Sequence, residues 1–133
     1  MAGHTCSLES FGLGEQCDIR AERMELVHKP GELGVKFRVA FSKEAQEQEA
    51  HGSLGESFEV EVPTPGRFSV YNALTAIAIC RHFQVSAENI RKALLGAHVK
   101  GRIEMVKVSD RFTLLIDYAH NAMALESLLT TLK

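Results

Sequence analysis

The sequence predicts an α/β fold of mixed α+β order: a small three-stranded antiparallel sheet, two helices, and then the opening strands and helix of a second domain. Residues 35–41 and 58–62 alternate between apolar and polar side chains, which is typical of strands with one buried face. After Pro63 the apolar residues instead recur at helical spacing. Residues 112–116 are apolar without alternation, which indicates a strand covered on both faces.

The first half of the chain is predicted to form the antiparallel sheet. The two alternating segments supply two strands, and residues 19–27 supply a weaker third that ends at a turn formed by Pro30 and Gly31. Residues 43–56 are rich in Glu and Gln. They carry too little apolar area to order themselves, so we expect a mobile loop there.

Two helices follow, each with a candidate capping serine. Ser69 precedes an apolar stripe, and its hydroxyl is expected to cap the first helix. Ser86 stands in the same way before the second helix, which Gly96 is expected to end. The stripes consist of Val70, Leu74, Ile77, Ala78 and Phe83 in the first helix, and of Ile90, Ala93, Leu94 and Ala97 in the second.

Beyond Gly101 the pattern becomes strand, strand and helix. Residues 103–108 and 112–116 are the predicted strands, joined by a turn at residues 110–111. Asn121 is the candidate N-cap of the last helix, whose leucines form one buried stripe. A buried strand that feeds a helix opens an α/β domain, and one such pair cannot cover both faces of its sheet. The sequence therefore looks cut from something longer. The leucines are Leu125, Leu128, Leu129 and Leu132.

Composition and charge argue against several function classes. The chain has 133 residues, 45% of them hydrophobic and 24% charged, with a net charge of −2. Such a balance offers no basic surface for nucleic acid or an anionic membrane. The three cysteines form no ligand cluster, so we expect no metal site and a reducing, cytoplasmic environment. Residues 1–6 lack the features of a signal peptide, and the longest apolar stretch, 73–80, falls far short of the roughly 20 residues that a membrane span requires.

Asn72 and Arg102 are two of four candidates for nucleotide contact. Asn72 is expected in the first turn of its helix, where an amide either reads an adenine edge or satisfies the local backbone. Arg102 follows a glycine between two elements. A guanidinium there either binds a phosphate or a base, or is an ordinary surface arginine at a hinge. Glu104, two residues on, is read as a solvated strand residue.

Asp117 and His120 are the other two candidates. They follow the carboxyl end of a predicted buried strand, where open α/β sheets place their ligands. The Asp117 carboxylate either accepts both ribose hydroxyls or caps the following helix. The His120 ring either binds ribose or phosphate or lines the helix start. The residues alone leave these alternatives open.

Three segments occur in an order and separation that resemble the Mur ligases. They read GRFSVYNAL at residues 66–74, GRIE at 101–104 and DYAHN at 117–121, where the family has G-x-F-N-x-x-N-A-L-A-A, G-R-M-E and D-Y-A-H-T-P. With residues 11–14 and 18–21 the resemblance covers nearly the whole chain. It is strongest to the members that add the third residue, a diamino acid, to the peptidoglycan stem peptide. Ser69 departs from the family, which has Asn there, and Asn121-Ala122 departs from Thr-Pro.

The resemblance implies a place for this stretch in a larger enzyme. Residues 1–99 would be the C-terminal part of a central ATP-binding domain, and residues 100–133 the start of a Rossmann-like C-terminal domain. A hinge would lie near Lys100 and Gly101. The parent would use ATP and Mg²⁺ to activate a carboxylate of a UDP-linked muramyl dipeptide as an acyl phosphate, to which a diamino acid is joined. The adenosine side of the ATP site would consist of Asn72, Arg102, Asp117 and His120.

The resemblance also implies what this stretch does not hold. The family's Gly-rich phosphate loop and its magnesium ligands would lie upstream. We therefore expect no catalytic residue and no metal ligand here, and an inactive chain in isolation. Its apolar C-terminal surface is expected to favour self-association.

Two alternatives remain. A folylpolyglutamate or cyanophycin synthetase is favoured by Asn121, because motifs of those relatives read D-G-A-H-N-P and D-Y-A-H-N-P, and is disfavoured by Glu104. A free-standing, non-catalytic binding module is the other.

Overall fold

A computed structural model describes residues 7–29, 32–47, 54–106, 108–109 and 111–133. The expected turn at Pro30 and Gly31, the N-terminal residues 1–6 and Asp110 of the second turn lie outside the described residues. The elements in chain order are β1 (Phe11–Gly12), β2 (Ile19–Lys29), β3 (Glu32–Phe41), α1 (Lys43–Glu47), β4 (Ser57–Val62), α2 (Arg67–His82), α3 (Ala87–Leu95), β5 (Glu104–Val106), β6 (Leu114–Ile116) and α4 (Ala122–Leu132).

The main sheet has the strand order β1-β2-β3-β4. Strands β2, β3 and β4 pair antiparallel, which confirms the predicted three-stranded sheet. The structure adds the short β1, which pairs parallel to the start of β2. Its two residues are too few to show any periodicity, so the sequence gives no sign of it.

One face of the sheet is buried under α2 and α3. The side chains of Phe37 and Val39 from β3 meet Leu74 and Ile77 from α2, and all four are almost fully buried. Burial alternates along β4 in the predicted way, with Phe58, Val60 and Val62 inward. The alternation and spacing of apolar residues therefore predicted correctly which face of each of these elements is buried.

The predicted loop at residues 43–56 is partly wrong. Residues Lys43–Glu47 form α1, and Ala45 in it is buried, as is Leu54 further along. The Ser42 hydroxyl accepts a hydrogen bond from the Ala45 amide at 3.1 Å, which caps the short helix. Composition alone missed this cap. Residues 48–53 of the stretch lie outside the described part.

The helix caps agree with the sequence in three cases out of four. Ser86 and Asn121 accept backbone amides at the starts of α3 and α4, and Gly96 is the C-cap of α3. Ser69 does not cap α2, because the helix begins at Arg67 after Gly66, whose φ is 97°. The buried Ser69 hydroxyl donates instead to the Pro65 carbonyl at 3.1 Å.

The C-terminal elements are more exposed than predicted. Strands β5 and β6 pair antiparallel as a separate two-stranded sheet. Leu114 and Ile116 of β6 are 44% and 48% exposed, so the strand is not covered on both faces. None of the α4 residues is buried, so its leucine stripe is not core. Only β5 pairs with β6 in the described part of the chain, so nothing there completes the α/β layers. None of the described helices has the length and apolar run needed to cross a bilayer.

Candidate functional site

Two of the three motif segments meet in the structure. The Tyr118 amide donates to the Gly101 carbonyl at 2.9 Å, and the Ile103 amide donates to Asp117 Oδ2 at 2.9 Å. We call residues 101–104 and 117–120 together the junction. Its two halves come from the loops that flank the β5–β6 sheet. The junction therefore holds three of the four candidate residues: Arg102, Asp117 and His120.

The carboxylate of Asp117 is engaged by the backbone through both oxygens. Oδ2 accepts from the Ile103 amide, and Oδ1 accepts from the Ala119 amide at 2.8 Å. It does not cap α4, since Asn121 does so by accepting from Ala124. Each carboxylate oxygen can accept a second hydrogen bond, so this fixed and half-buried group can still receive hydroxyl donors.

The backbone of the junction is strained at Ile103. This residue has φ 45° and is only 4% exposed, although left-handed backbone is unfavourable for a β-branched side chain. Gly101 has φ 72°, which glycine tolerates readily. The bond from the Ile103 amide to Asp117 and the burial of the isoleucine side chain both offset the strain. The loop that carries Arg102 is thus anchored at Ile103 by a backbone hydrogen bond and by side-chain burial.

Arg102 stands between those anchors with its side chain exposed. It lines an open cavity of about 730 Å³ that also receives charged side chains from β2, β3 and the α3–β5 loop. In the part of the chain that the structure describes, its guanidinium makes no ion pair and no side-chain hydrogen bond. A free guanidinium in a concave site can bind a phosphate or lie against a base. The ionisable residues that line the cavity with it are Lys29, Glu32, Glu61, His98, Lys100 and Glu104.

The Glu104 side chain makes a structural hydrogen bond, which the prediction of a solvated strand residue did not include. Its Oε2 accepts a hydrogen bond from the Gly101 amide at 2.9 Å. The side chain thus reaches back across the loop that contains Arg102. The sequence contained both residues of this contact, but local patterns do not reveal a side chain that bonds to a backbone amide three residues earlier.

His120 is exposed and oriented by its neighbour. Its Nδ1 lies 3.0 Å from the Tyr118 carbonyl, and its ring meets the Tyr118 ring edge-on at 5.1 Å. When Nδ1 donates to that carbonyl, Nε2 is left as an acceptor facing solvent. Tyr118 itself is 71% exposed, so it does not pack into the core as an aromatic residue often does.

Asn72 lies apart from the junction. It is in the second turn of α2, not in the first as predicted, because the helix begins at Arg67. Its side chain is exposed, on the face opposite the buried Ala73, Leu74 and Ile77. Among the described residues no hydrogen bond connects Asn72 to the junction. Its amide is therefore accessible, but the structure does not bring it together with the other three.

The described residues do not form a metal site. No group of three or more His, Cys, Asp or Glu side chains within the described ranges could hold an ion. The donor chemistry of the junction, with one free guanidinium and one amide-bound carboxylate, does not fit a Mg²⁺ ion, which prefers several oxygen ligands.

Comparison with curated proteins found relatives along most of the chain, whereas no family model matches. A protein of Alkaliphilus oremlandii (strain OhILAs) named UDP-N-acetylmuramoyl-L-alanyl-D-glutamate--2,6-diaminopimelate ligase is 35% identical over 92% of this chain and 22% of its own length. A protein of the same name from Geobacillus kaustophilus (strain HTA426) is 34% identical over 93% and 22%. UDP-N-acetylmuramate--L-alanine ligase of Ruegeria sp. (strain TM1040) is 31% identical over 90% and 23%. The chain thus spans between a fifth and a quarter of these relatives.

Solved structures agree with the sequence comparison. MurF from Acinetobacter baumannii matches 93% of this chain and 23% of its own with a TM-score of 0.70 and 26% identity. UDP-N-acetylmuramate-alanine ligase MurC from Thermotoga maritima matches 94% and 26% with a TM-score of 0.72. At 20% identity the second likeness shows the fold alone. These matches confirm the predicted fold class.

Proposed function

The chain belongs to the Mur ligase family, and on that premise we propose that it forms the adenosine side of the ATP site in a ligase that builds peptidoglycan precursors. In this proposal residues 1–99 end the central ATP-binding domain and residues 100–133 begin the C-terminal domain. The hinge between them lies near Lys100 and Gly101. One observation carries the proposal: the junction holds an exposed Arg102, whose guanidinium has no partner among the described residues, between two anchored loops.

The parent reaction that we propose is amide-bond formation through an acyl phosphate. The terminal phosphoryl group of ATP passes to a carboxylate of the UDP-linked muramyl dipeptide, which leaves ADP. The amine of a diamino acid then attacks the carbonyl carbon, inorganic phosphate leaves, and the amine loses a proton. Catalysis of such a transfer depends on positioning the reactants in line.

Within that reaction the residues of this stretch hold the nucleotide. The Asp117 carboxylate, already oriented by two amides, accepts ribose hydroxyls through its remaining lone pairs. Arg102 contacts a phosphate or the base, His120 offers Nε2 to the ribose or a phosphate, and Asn72 reads the adenine edge after the domains close. None of these groups transfers the phosphoryl group, so the stretch alone should bind nucleotide without hydrolysing it.

The incoming amino acid differs among the relatives. Two of the relatives described above are named as 2,6-diaminopimelate ligases, whereas the third is named as an L-alanine ligase. We propose a diamino acid as the incoming substrate on the basis of the first two. The relatives described above are named as ligases of muramyl substrates, which supports this proposal over a folylpolyglutamate or cyanophycin synthetase.

Nucleotide binding by the isolated chain tests the proposal. We would titrate the ¹⁵N-labelled chain with ADP and follow amide chemical shifts by NMR. We expect saturable shifts at residues 101–104 and 117–120, together with smaller ones near Asn72. Shifts confined to β4 and α3, or no shifts at any ADP concentration, would reject the adenosine site.

A further inference from the structure

We propose that Glu104 is a positioning residue of the nucleotide site, which acts through the backbone of Gly101 to present the guanidinium of Arg102. This inference rests on the function proposed above. It assigns to Glu104 a role that does not involve contact with the ligand.

The hydrogen bond from the Gly101 amide to Glu104 Oε2 closes the loop that carries Arg102. Gly101 and Glu104 are the two ends of this loop, and the bond between them measures 2.9 Å. Ile103 anchors the middle, since its side chain is buried and its amide is bound by Asp117. Arg102 is the one residue of the loop that has neither a buried side chain nor a side-chain bond in the described part of the chain. The closure therefore leaves its guanidinium directed at solvent and cavity.

Charge argues against direct contact between Glu104 and the ligand. The phosphates of a nucleotide are anionic, and a carboxylate beside them, where we place Arg102, would be repelled unless a cation stood between them. An ion pair with Arg102 would avoid that repulsion but would also occupy the guanidinium. The structure shows no such pair, because the carboxylate is occupied by the Gly101 amide. A backbone role is the one that fits both the charge of the ligand and the observed contact.

Loss of the closure should loosen the loop at its most flexible point. Gly101 adopts φ 72° and has no neighbouring atom within 4 Å of where a Cβ would stand, so no steric contact holds it there. Glycine samples both signs of φ with little penalty. Without the acceptor, Gly101 would keep the hydrogen bond from the Tyr118 amide to its carbonyl but lose the one that its own amide donates. The loop would then populate more conformations, and nucleotide binding would include the entropy cost of selecting one.

Four variants of the whole chain separate this role from its alternatives. Glu104→Ala removes the acceptor, whereas Glu104→Gln keeps a carbonyl oxygen that can still accept from Gly101. Arg102→Ala removes the group that we propose is positioned, and the double variant tests whether the two act together. Glu15→Ala is the control, since it removes an exposed carboxylate that lies outside this cavity and makes no side-chain hydrogen bond within the described residues.

We expect Glu104→Ala to weaken ADP binding by about fivefold, the loss that corresponds to one ordinary hydrogen bond. Glu104→Gln and Glu15→Ala should stay within about twofold of wild type, where twofold is below 0.5 kcal/mol. In the Arg102→Ala background, Glu104→Ala should weaken binding no further. Hydrogen exchange of the Gly101 amide should accelerate in Glu104→Ala and return towards the wild-type rate in Glu104→Gln.

Each contrary result has a definite meaning. If Glu104→Gln is as weak as Glu104→Ala, the charge and not the hydrogen bond matters, and the inference is wrong. If Glu104→Ala weakens binding equally with and without Arg102, Glu104 does not act through it. If wild type binds ADP and Glu104→Ala binds it equally well, the inference fails while the proposed function stands. If wild type binds no ADP, both fail together.

Discussion

Near each end of the described chain, one aspartate carboxylate accepts hydrogen bonds from backbone amides and joins two segments. Asp117 receives two amides at the junction, and one of them belongs to the strained Ile103. A change at Asp117 would therefore weaken both the fold and the nucleotide contact that we propose for it. We expect Asp117→Ala to raise the KM for ATP in a full-length ligase and also to lower the melting temperature. Arg102 makes no such structural bond in the described residues, so it is the cleaner probe of the site.

Asp18 plays the corresponding part at the start of β2. Its carboxylate accepts hydrogen bonds from the Ser10 amide at 2.8 Å and the Ser10 hydroxyl at 2.7 Å, with a longer one from the Ser42 hydroxyl. The Ser10 hydroxyl, followed by its amide, lowers the pKa of Asp18 below its usual value of 3.8. The segment before β1 is thereby tied to β2.

Because the folded-state pKa of Asp18 is the lower one, its stabilisation is present above the unfolded-state pKa. It is lost as the pH falls through the folded-state pKa. We expect Asp18→Asn to cost about 1 kcal/mol at neutral pH, and less in strong acid. Urea unfolding at a series of pH values would measure this, with Glu15→Gln in the neighbouring turn as the control. Equal effects of Asp18→Asn at pH 7 and in strong acid would contradict the role of the charge.

At the scale of elements, the start of α2 depends on a conformation that the sequence pattern did not reveal. Gly66 has φ 97°, and a Cβ there would stand 2.9 Å from Phe68 Cε1 and 3.1 Å from Thr131 Oγ1 of α4. We expect Gly66→Ala to lower the free energy of unfolding by about 1–2 kcal/mol, from backbone strain and crowding together.

Gly96→Ala is the control for that change. Gly96 is the C-cap of α3 at φ −88°, where alanine meets no unusual contact. It should be neutral within about 0.5 kcal/mol. Thermal unfolding followed by circular dichroism compares the two. Equal losses at both positions would mean that the α2 start does not require glycine.

The elements predicted correctly are those whose burial is decided locally. The alternation in β3 and β4 marks a face that must meet α2, and the capping side chains of Ser86 and Asn121 act within one turn. The sequence pattern places the start of α2 at Ser69, because serine is a favourable N-cap residue. In the structure the helix begins two residues earlier, at Arg67, after the positive φ of Gly66.

Contacts between site residues that lie far apart in the sequence cannot be predicted from local sequence patterns. The hydrogen bond from the Ile103 amide to Asp117 joins positions fourteen residues apart in the sequence. It also depends on a left-handed backbone conformation at Ile103, which is unfavourable for a β-branched residue and so is not predicted from the sequence. The exposure of β6 likewise depends on which strands and helices lie beside it. The candidate residues were identified through the family motifs, whereas their hydrogen bonds required the structure.

Across the molecule as a whole, we expect the C-terminal elements to be less rigidly ordered than the main sheet. Phe37 and Val39 are almost fully buried, whereas α4 buries no residue and Met123 and Leu129 are exposed. Exposed apolar surface and open strand edges favour association between chains. We expect amides of β6 and α4 to exchange faster than those of β3, and the mass from light scattering to rise with concentration.

A charged substitution provides the control for that prediction. Leu129→Glu should keep the chain monomeric while leaving the exchange of β3 unchanged, because Leu129 is exposed and far in sequence from the core strands. A wild-type chain that stays monomeric, with α4 amides as protected as those of β3, would show that the C-terminal segment closes a domain of its own.

We propose that this stretch supplies the adenosine side of a ligase ATP site, and steady-state kinetics of a full-length parent would test that role. Arg102→Ala should raise the KM for ATP about tenfold or more, the cost of a lost charge-assisted hydrogen bond, with the KM for the UDP-linked peptide and the melting temperature nearly unchanged. Arg111→Ala, an exposed arginine in the β5–β6 loop, should match wild type. An Arg102→Ala enzyme with an unchanged KM for ATP, or with equal losses for both substrates, would contradict the account.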